Sequence, residues 1–232
     1  MILEAARALR VAADAIESRG AARRLRGAPT DPAAAVDYIA GFRYGHITPT
    51  PSQIRSEIVR LLELLAERRP KSVLELGTYL GGTLFLFATV AAPDATLVTV
   101  DLEEGPFGGG YPRAWRPFLR AFARNNQKIC LVLGDTKNPS TLATVTDALR
   151  VPVDFLFVDA DHSYEGISSD YQTYSPLVAP GGLIALHDIV PGTADWVGGV
   201  PQFWQELKQT VRHEELVESW EQGGYGIGVI QV

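Results

Sequence analysis

Asp159 and Asp188 each follow an apolar run, Val153-Asp-Phe-Leu-Phe-Val158 and Leu183-Ile-Ala-Leu186 with His187. Twenty-nine residues separate them, which is one strand-helix-strand unit. On neighbouring parallel strands the two carboxylates would face one crevice, and such a pair repels unless a cation or a proton intervenes. Oxygen ligands with open positions suit Mg2+, which keeps several waters and takes few carboxylates. His187 offers a nitrogen beside them. His162 lies three residues after Asp159, and its ordinary pKa of about 6.5 suits it to take a hydroxyl proton near neutral pH. The plainer readings are that the two acids cap the following helices, that His162 is a structural loop histidine, and that Asp161 is a solvated loop acid.

A second constellation lies upstream. Glu75-Leu-Gly-Thr-Tyr-Leu-Gly-Gly-Thr83 ends a strand and opens a helix. Gly77 permits a sharp turn, and Gly81 and Gly82 let backbone approach a ligand without a Cβ in the way. The spacing is E-x-G-x-x-x-G-G rather than G-x-G-x-x-G, and tight turns alone are the alternative. Asp101, 19 residues beyond Gly82, ends the next strand, where a carboxylate can accept from ribose hydroxyls. Gly134-Asp135 repeats the arrangement one strand later, as an adenine-amino acceptor or as ordinary turn chemistry.

These residues need a sheet to align them. The face of Ile54, Ile58, Leu61, Leu62 and Leu65 predicts a helix that Pro70 ends. Strands are predicted at 72–77, 96–101, 129–133, 153–158 and 183–186, with helices near 81–91, 114–125, 138–149 and before Pro180-Gly-Gly182. Strands alternating with helices, two of them almost purely apolar, indicate an α/β fold with a mostly parallel sheet covered on both faces. Glu215–Trp220 and Tyr225–Val232, separated only by Glu221-Gln-Gly-Gly224, predict a C-terminal antiparallel hairpin. Ile2, Leu9 and Ile16 form a narrow helical stripe before a connector that carries Arg23, Arg24 and Arg26.

From about residue 46 onward the chain resembles the class I S-adenosylmethionine-dependent methyltransferases. The likeness rests on Val73–Thr83, Asp101, Gly134-Asp135 and the terminal hairpin. Gln53-Ile54 and Gly77-Thr-Tyr-Leu-Gly81 resemble the catechol O-methyltransferase branch. Asp159-Ala-Asp-His-Ser-Tyr-Glu-Gly166 and Pro180–Asp188 resemble the macrocin O-methyltransferase and cephalosporin-hydroxylase-like groups. The resemblance implies a Rossmann-like doubly wound sheet at 46–232; residues 1–45 carry no motif of it, and their apolar stripe predicts a helical lid or oligomerisation segment. It implies S-adenosylmethionine contacts at Ile47, Glu75, Gly77, Thr78, Tyr79, Gly81, Thr83, Asp101, Leu102, Gly134, Asp135, Thr136 and Asp159. It also implies a divalent metal on Asp159, His187 and Asp188, and a general base at His162. The pair at 187 and 188 is usually two oxygen-bearing side chains. A histidine there departs from the pattern and shifts preference from Mg2+ toward Mn2+, Fe2+, Co2+ or Zn2+; otherwise His187 points away or the metal has been lost.

The reaction so implied is O-methylation of a small hydroxylated acceptor, a sugar or a phenol. Specificity is expected from residues 44–51, 103–115 and 190–204, with Phe107, Tyr111, Trp115, Trp196 and Trp204 walling an apolar pocket. Tyr79 and Tyr164 are candidates for cation–π contact with the sulfonium. The alternatives are an NAD-dependent dehydrogenase, disfavoured by the loop spacing and the hairpin, and a non-catalytic cofactor-binding partner subunit.

Composition bounds these readings. The 232 residues are 46% hydrophobic, enough for a large core, and the net charge of -6 gives no global pull toward nucleic acid or anionic lipid. The single cysteine, Cys130, forbids an internal disulfide, and a cytoplasmic homo-oligomer is expected. No apolar stretch is long enough for a membrane helix.

Overall fold

The computed structural model describes residues 2–25, 27–103 and 110–232, with the backbone alone for 2–12. Phe107, Arg26 and the side chains of Ile2 and Leu9 therefore lie outside the described residues. The strands are β1 Ser72–Leu76, β2 Thr96–Asp101, β3 Lys128–Leu133, β4 Val153–Val158, β5 Val178–His187, β6 His213–Leu216 and β7 Ile227–Gln231. The helices are α1 Ile2–Arg24, α2 Pro32–Ala40, α3 Arg55–Arg68, α4 Gly82–Val90, α5 Arg116–Arg120, α6 Pro139–Leu149, α7 Tyr164–Tyr174, α8 Ala194–Val197 and α9 Val200–Leu207.

One seven-stranded sheet runs in the order β3-β2-β1-β4-β5-β7-β6. The first five strands pair in parallel, and β7 is antiparallel to both its neighbours. All five residues of β1 are buried, as a central strand covered on both faces requires. Val73, Phe155 and Phe157 face α4 and α3, whereas Leu74, Leu156 and Val158 face the side of α6, α7 and Trp204. α4 is apolar on every side because it lies between the sheet and α2. Ala21, Leu25, Val36 and Ile39 join the same core, so the end of α1 and α2 pack onto the sheet domain.

Three local expectations shift. The predicted 114–125 helix shrinks to a 3-10 turn at Arg113–Trp115 and the five-residue α5, after which residues 121–127 turn to enter β3. Pro180-Gly-Gly182 belongs to β5, not to a helix end. The register jumps from Val153↔Val178 to Phe155↔Leu183, and a bulge absorbs the extra residues. The hairpin exists, but its strands pair 213–216 with 227–230, leaving a ten-residue connection at 217–226.

That connection is held by a buried carboxylate. Glu57 of α3 accepts from the backbone N–H groups of Glu218 at 3.0 Å and Gly226 at 2.9 Å, and from Gln222 Nε2 at 2.8 Å. Glu57→Ala strands two buried amides, which costs about 2–3 kcal/mol. The expected outcome is a melting temperature lower by roughly 5–10 °C, read in a thermal melt.

Candidate active site

The strand order reverses between β1 and β4, and ligands of open α/β sheets bind at such a point. Here the loop after β1 meets the residue after β4. Asp159 N–H donates to Leu76 O at 2.9 Å. Gly77 turns with φ 92°, and a Cβ on it would stand 1.9 Å from the Asp159 carbonyl oxygen. Gly82 is crowded likewise, since a Cβ there would stand 2.5 Å from Pro51 N, so the 49–51 stretch rests on the glycine loop. Between them lies a cavity of about 40 Å³, lined by Thr50, Gln53, Gly77, Thr78, Tyr79 and Asp159 among others.

The expected cofactor residues divide into two groups. Gly77, Thr78, Tyr79, Thr83 and Asp159 line this cavity. Others lie beneath or beside it. Ile47 has no exposed surface and belongs to the core. Glu75 is fully buried and accepts from Thr83 Oγ1 at 2.5 Å and Thr99 Oγ1 at 2.6 Å, tying β1 to β2 and α4. Burial pushes its carboxyl up to about 8, Asp101 and Asp159 add to this, and the two hydroxyls only partly offset it. Gly81, at φ 85°, closes the turn against Leu119.

The Asp101 carboxylate is engaged by four backbone amides, from Thr78 at 3.0 Å, Tyr79 at 2.6 Å, Leu102 at 2.7 Å and Gly110 at 3.0 Å. It therefore shapes the glycine loop as well as standing where a ribose acid is expected. Leu102 is partly exposed beside it. Asp135 is exposed and accepts from Lys137 N–H in a local turn, while Thr136 O accepts from Tyr174 OH, and Gly134 N–H is bound to Asp101 O.

The polar residues after β4 and β5 converge as expected. Asp159, His162 and Asp188 each present one ligand atom, all within 4.8 Å of one another. His187 points into this group: its Nδ1 lies 3.1 Å from Asp159 Oδ1 and 3.5 Å from Asp188 Oδ2. His187 Nε2 is buried without a hydrogen-bond partner among the described residues. The histidine that sequence reasoning reserved for base chemistry is thus also within ligand reach. Helix capping is excluded for both acids, because Ser163 caps α7 and Thr193 precedes α8. Asp161 faces Lys137 Nζ at 2.5 Å and belongs to a neighbouring ion pair.

Backbone fixes these side chains. Asp188 sits at φ 62°, and its Oδ1 accepts from Tyr225 N–H at 3.0 Å. His162 Nδ1 donates to Trp196 O at 2.5 Å, so Nδ1 carries the proton and Nε2 faces Asp159 Oδ1 at 3.3 Å. An unprotonated Nε2 would set its lone pair against a carboxylate, so this contact favours a second proton on the ring. Burial opposes that charge, but the hydrogen bond and attraction of Asp159, the Trp196 carbonyl and Asp188 raise His162 to about 9. His187 is raised by Asp159 against the same burial. Asp159 is held well below the usual carboxylate range by the two imidazoles despite its burial, and burial plus the charge of Asp159 raises Asp188. The cluster demands positive charge at its centre, from protons or from an ion. The two carboxylates and one imidazole that converge here fit a divalent metal with mixed oxygen and nitrogen donors.

The aromatic expectations separate cleanly. Tyr111, Trp115 and Trp204 are buried core residues, and Trp204 packs against Gly228 of β7. Tyr164 donates to Glu206 at the surface. Trp196 is 74% exposed beside His162, and Tyr79 is also exposed at the cavity. Tyr225 was missed. It is 41% exposed, its ring lies 6.2 Å from that of His187, and its Gly224-Tyr-Gly226 setting is the only sequence signal it carried.

A pH experiment checks the electrostatics. In metal-free protein the His162 ring should titrate near 9 by nitrogen-detected NMR, and Asp159→Asn should move it back toward its ordinary value of 6.5. Because the folded value is the higher one, this contribution to stability is present below about 6.5 and is lost as pH rises through about 9.

Comparison with known proteins agrees with this geometry. Residues 74–189, half of the chain, match the family model described as a methyltransferase domain. The uncharacterized protein y4gI of Sinorhizobium fredii is 30% identical over 146 residues, spanning 60% of this chain. This chain covers only 15% of that relative's length. An O-methyltransferase of Bacillus cereus in complex with S-adenosylhomocysteine superposes with a TM-score of 0.58 at 18% identity, covering 78% of this chain and 84% of that one. The O-methyltransferase TomG of Streptomyces achromogenes, involved in tomaymycin synthesis and solved with S-adenosylmethionine, gives 0.58 at 19% identity, covering 87% and 89%. At these identities the solved structures speak for the fold alone.

Proposed function

The chain belongs to the methyltransferase domain family, and on that premise we propose that it moves a methyl group from S-adenosylmethionine to a hydroxyl of a small molecule. The observation that carries the proposal is the seam between the Gly77 turn and Asp159, which sets a small polar cavity directly against the Asp159, His162 and Asp188 cluster. The sulfonium is already an activated methyl donor, so the protein's task is alignment and preparation of the acceptor oxygen.

In this reading Asp159 and Asp188 would hold a divalent ion, with His187 as nitrogen ligand, and such an ion would supply Lewis acidity toward an acceptor hydroxyl. His162 takes the hydroxyl proton at Nε2. The Trp196 carbonyl keeps the other ring proton on Nδ1, which leaves the Nε2 lone pair for that role once the charge of Asp159 is balanced. Trp196 and Tyr225 offer flat apolar faces to the ring of a phenol or a sugar. Residues 1–45 serve as a helical lid or oligomerisation segment in this reading, with α1 tied to the 44–51 stretch. The Oε1 of Glu17 accepts from His46 N–H, and Ser18 Oγ accepts from Phe118 N–H. A cytoplasmic homo-oligomer is part of this proposal, supported by the single cysteine and by the apolar stripe of α1.

Calorimetry with S-adenosylhomocysteine should give a measurable isotherm, weakened by Asp101→Ala through collapse of the glycine loop. Binding of NADH in its place would overturn the assignment in favour of a dehydrogenase. With transfer followed by isotope-labelled methyl groups across a panel of phenols and glycosides, His162→Ala should cut turnover by about 10²–10⁴-fold. Asp188→Ala should abolish metal dependence and leave cofactor binding nearly intact. Full turnover in metal-depleted protein with excess chelator rules out the metal.

A further inference from the structure

We infer that Gln53 recognises the ammonium group of the methyl donor and transmits that contact to Asp159, as a positioning residue that no motif assigned. The inference rests on the methyl-donor reading above and assigns one contact within it. Gln53 lies just before α3, in the stretch that rests on the glycine loop, and its Nε2 donates to Asp159 Oδ2 at 3.1 Å. That contact puts the N–H side of the amide on the acid. Its carbonyl Oε1 then points the other way. That atom is buried and has no hydrogen-bond partner among the described residues.

An orphaned buried carbonyl calls for a donor. Gln53 and Asp159 both line the cavity of about 40 Å³ beside Gly77 and Thr78. A space of that size holds one small polar group. With a carboxylate and a bare carbonyl in its wall, the group it favours carries N–H donors and positive charge. S-adenosylmethionine has one such group, the primary ammonium of its amino-acid end. Its sulfonium has no N–H, and its adenine and ribose are too large. One side chain therefore spans donor and acid. Gln53 fixes the Oδ2 edge of Asp159 and leaves Oδ1 to His162 and His187. A buried water is the competing occupant, since it satisfies Oε1 equally well.

The test compares two probes by calorimetry on the full chain. S-adenosylhomocysteine has the amino-acid end, and 5′-methylthioadenosine keeps the adenosine thioether without it. Gln53→Leu should weaken S-adenosylhomocysteine by about tenfold to a hundredfold, the effect of one lost hydrogen bond to a charged group. It should leave 5′-methylthioadenosine unchanged. Unbranched Gln53→Met carries the same expectation should the leucine variant fail to fold, and retained 5′-methylthioadenosine binding reports an intact site. Equal weakening of both probes makes Gln53 a loop-shaping residue and overturns the inference. No weakening of either assigns the carbonyl to water and overturns it too. Wild-type protein that binds neither probe removes the methyl-donor reading itself, a result seen before any variant is made.

Discussion

The closest constraint in this protein is the contact of two backbones at the switch point of its sheet. Leu76 O accepts from Asp159 N–H, and Gly77 turns so near the Asp159 carbonyl that no side chain fits between them. This seam brings the end of β1 and the end of β4 together as one surface. The glycine loop, the 49–51 stretch that covers it and the acid cluster beyond all take their positions from it. The strand order makes the seam possible, because the chain leaves β1 on one side for β2 and β3 and returns on the other as β4.

Around the seam, buried carboxylates behave differently according to what faces them. Glu75 meets only hydroxyls, which cannot balance a charge in a dry interior, and it is driven toward its neutral form. Asp101 meets four amides and becomes the knot of a loop. Asp159 meets two imidazoles and stays ionised. Carboxylates at or near three strand ends thus serve as a buried tie, a loop organiser and a charged member of the polar cluster, and partners rather than spacing decide which.

The periphery supports that centre through backbone contacts from distant parts of the chain. The carbonyl of Trp196 in α8 orients His162, and the amide of Tyr225 in the hairpin connection orients Asp188. That connection is in turn anchored on Glu57 of α3. Residues 192 and 223 pack backbone to backbone, since a Cβ on Gly192 would stand 2.6 Å from Gly223 O. The two exposed aromatic rings at the mouth of the cluster therefore belong to one packed unit.

Much of this was legible in the sequence because it depends on local pattern. Alternating apolar strands and helices specify a parallel sheet covered on both faces, and acids at strand ends fall at one edge of such a sheet. From that alone Asp159, His162, His187 and Asp188 could be placed in one crevice. What the sequence did not decide depends on contacts between residues far apart in the chain. Tyr111, Trp115 and Trp204 look like pocket aromatics by type and neighbourhood, yet the packing of α5 and β7 buries them. The ten-residue hairpin connection is invisible to a turn rule that reads Gly-Gly as a tight reversal, because Glu57, about 160 residues earlier, supplies its hydrogen bonds. Gln53 entered the sequence reading only as part of the Gln53-Ile54 resemblance, with no role attached. Its place between a cavity and Asp159 exists only once α3 has been laid against the glycine loop. Residue types and periods set the sheet and its chemistry, and tertiary contact set which side chain faces which, because a partner's proton, charge or bulk acts only at contact distance.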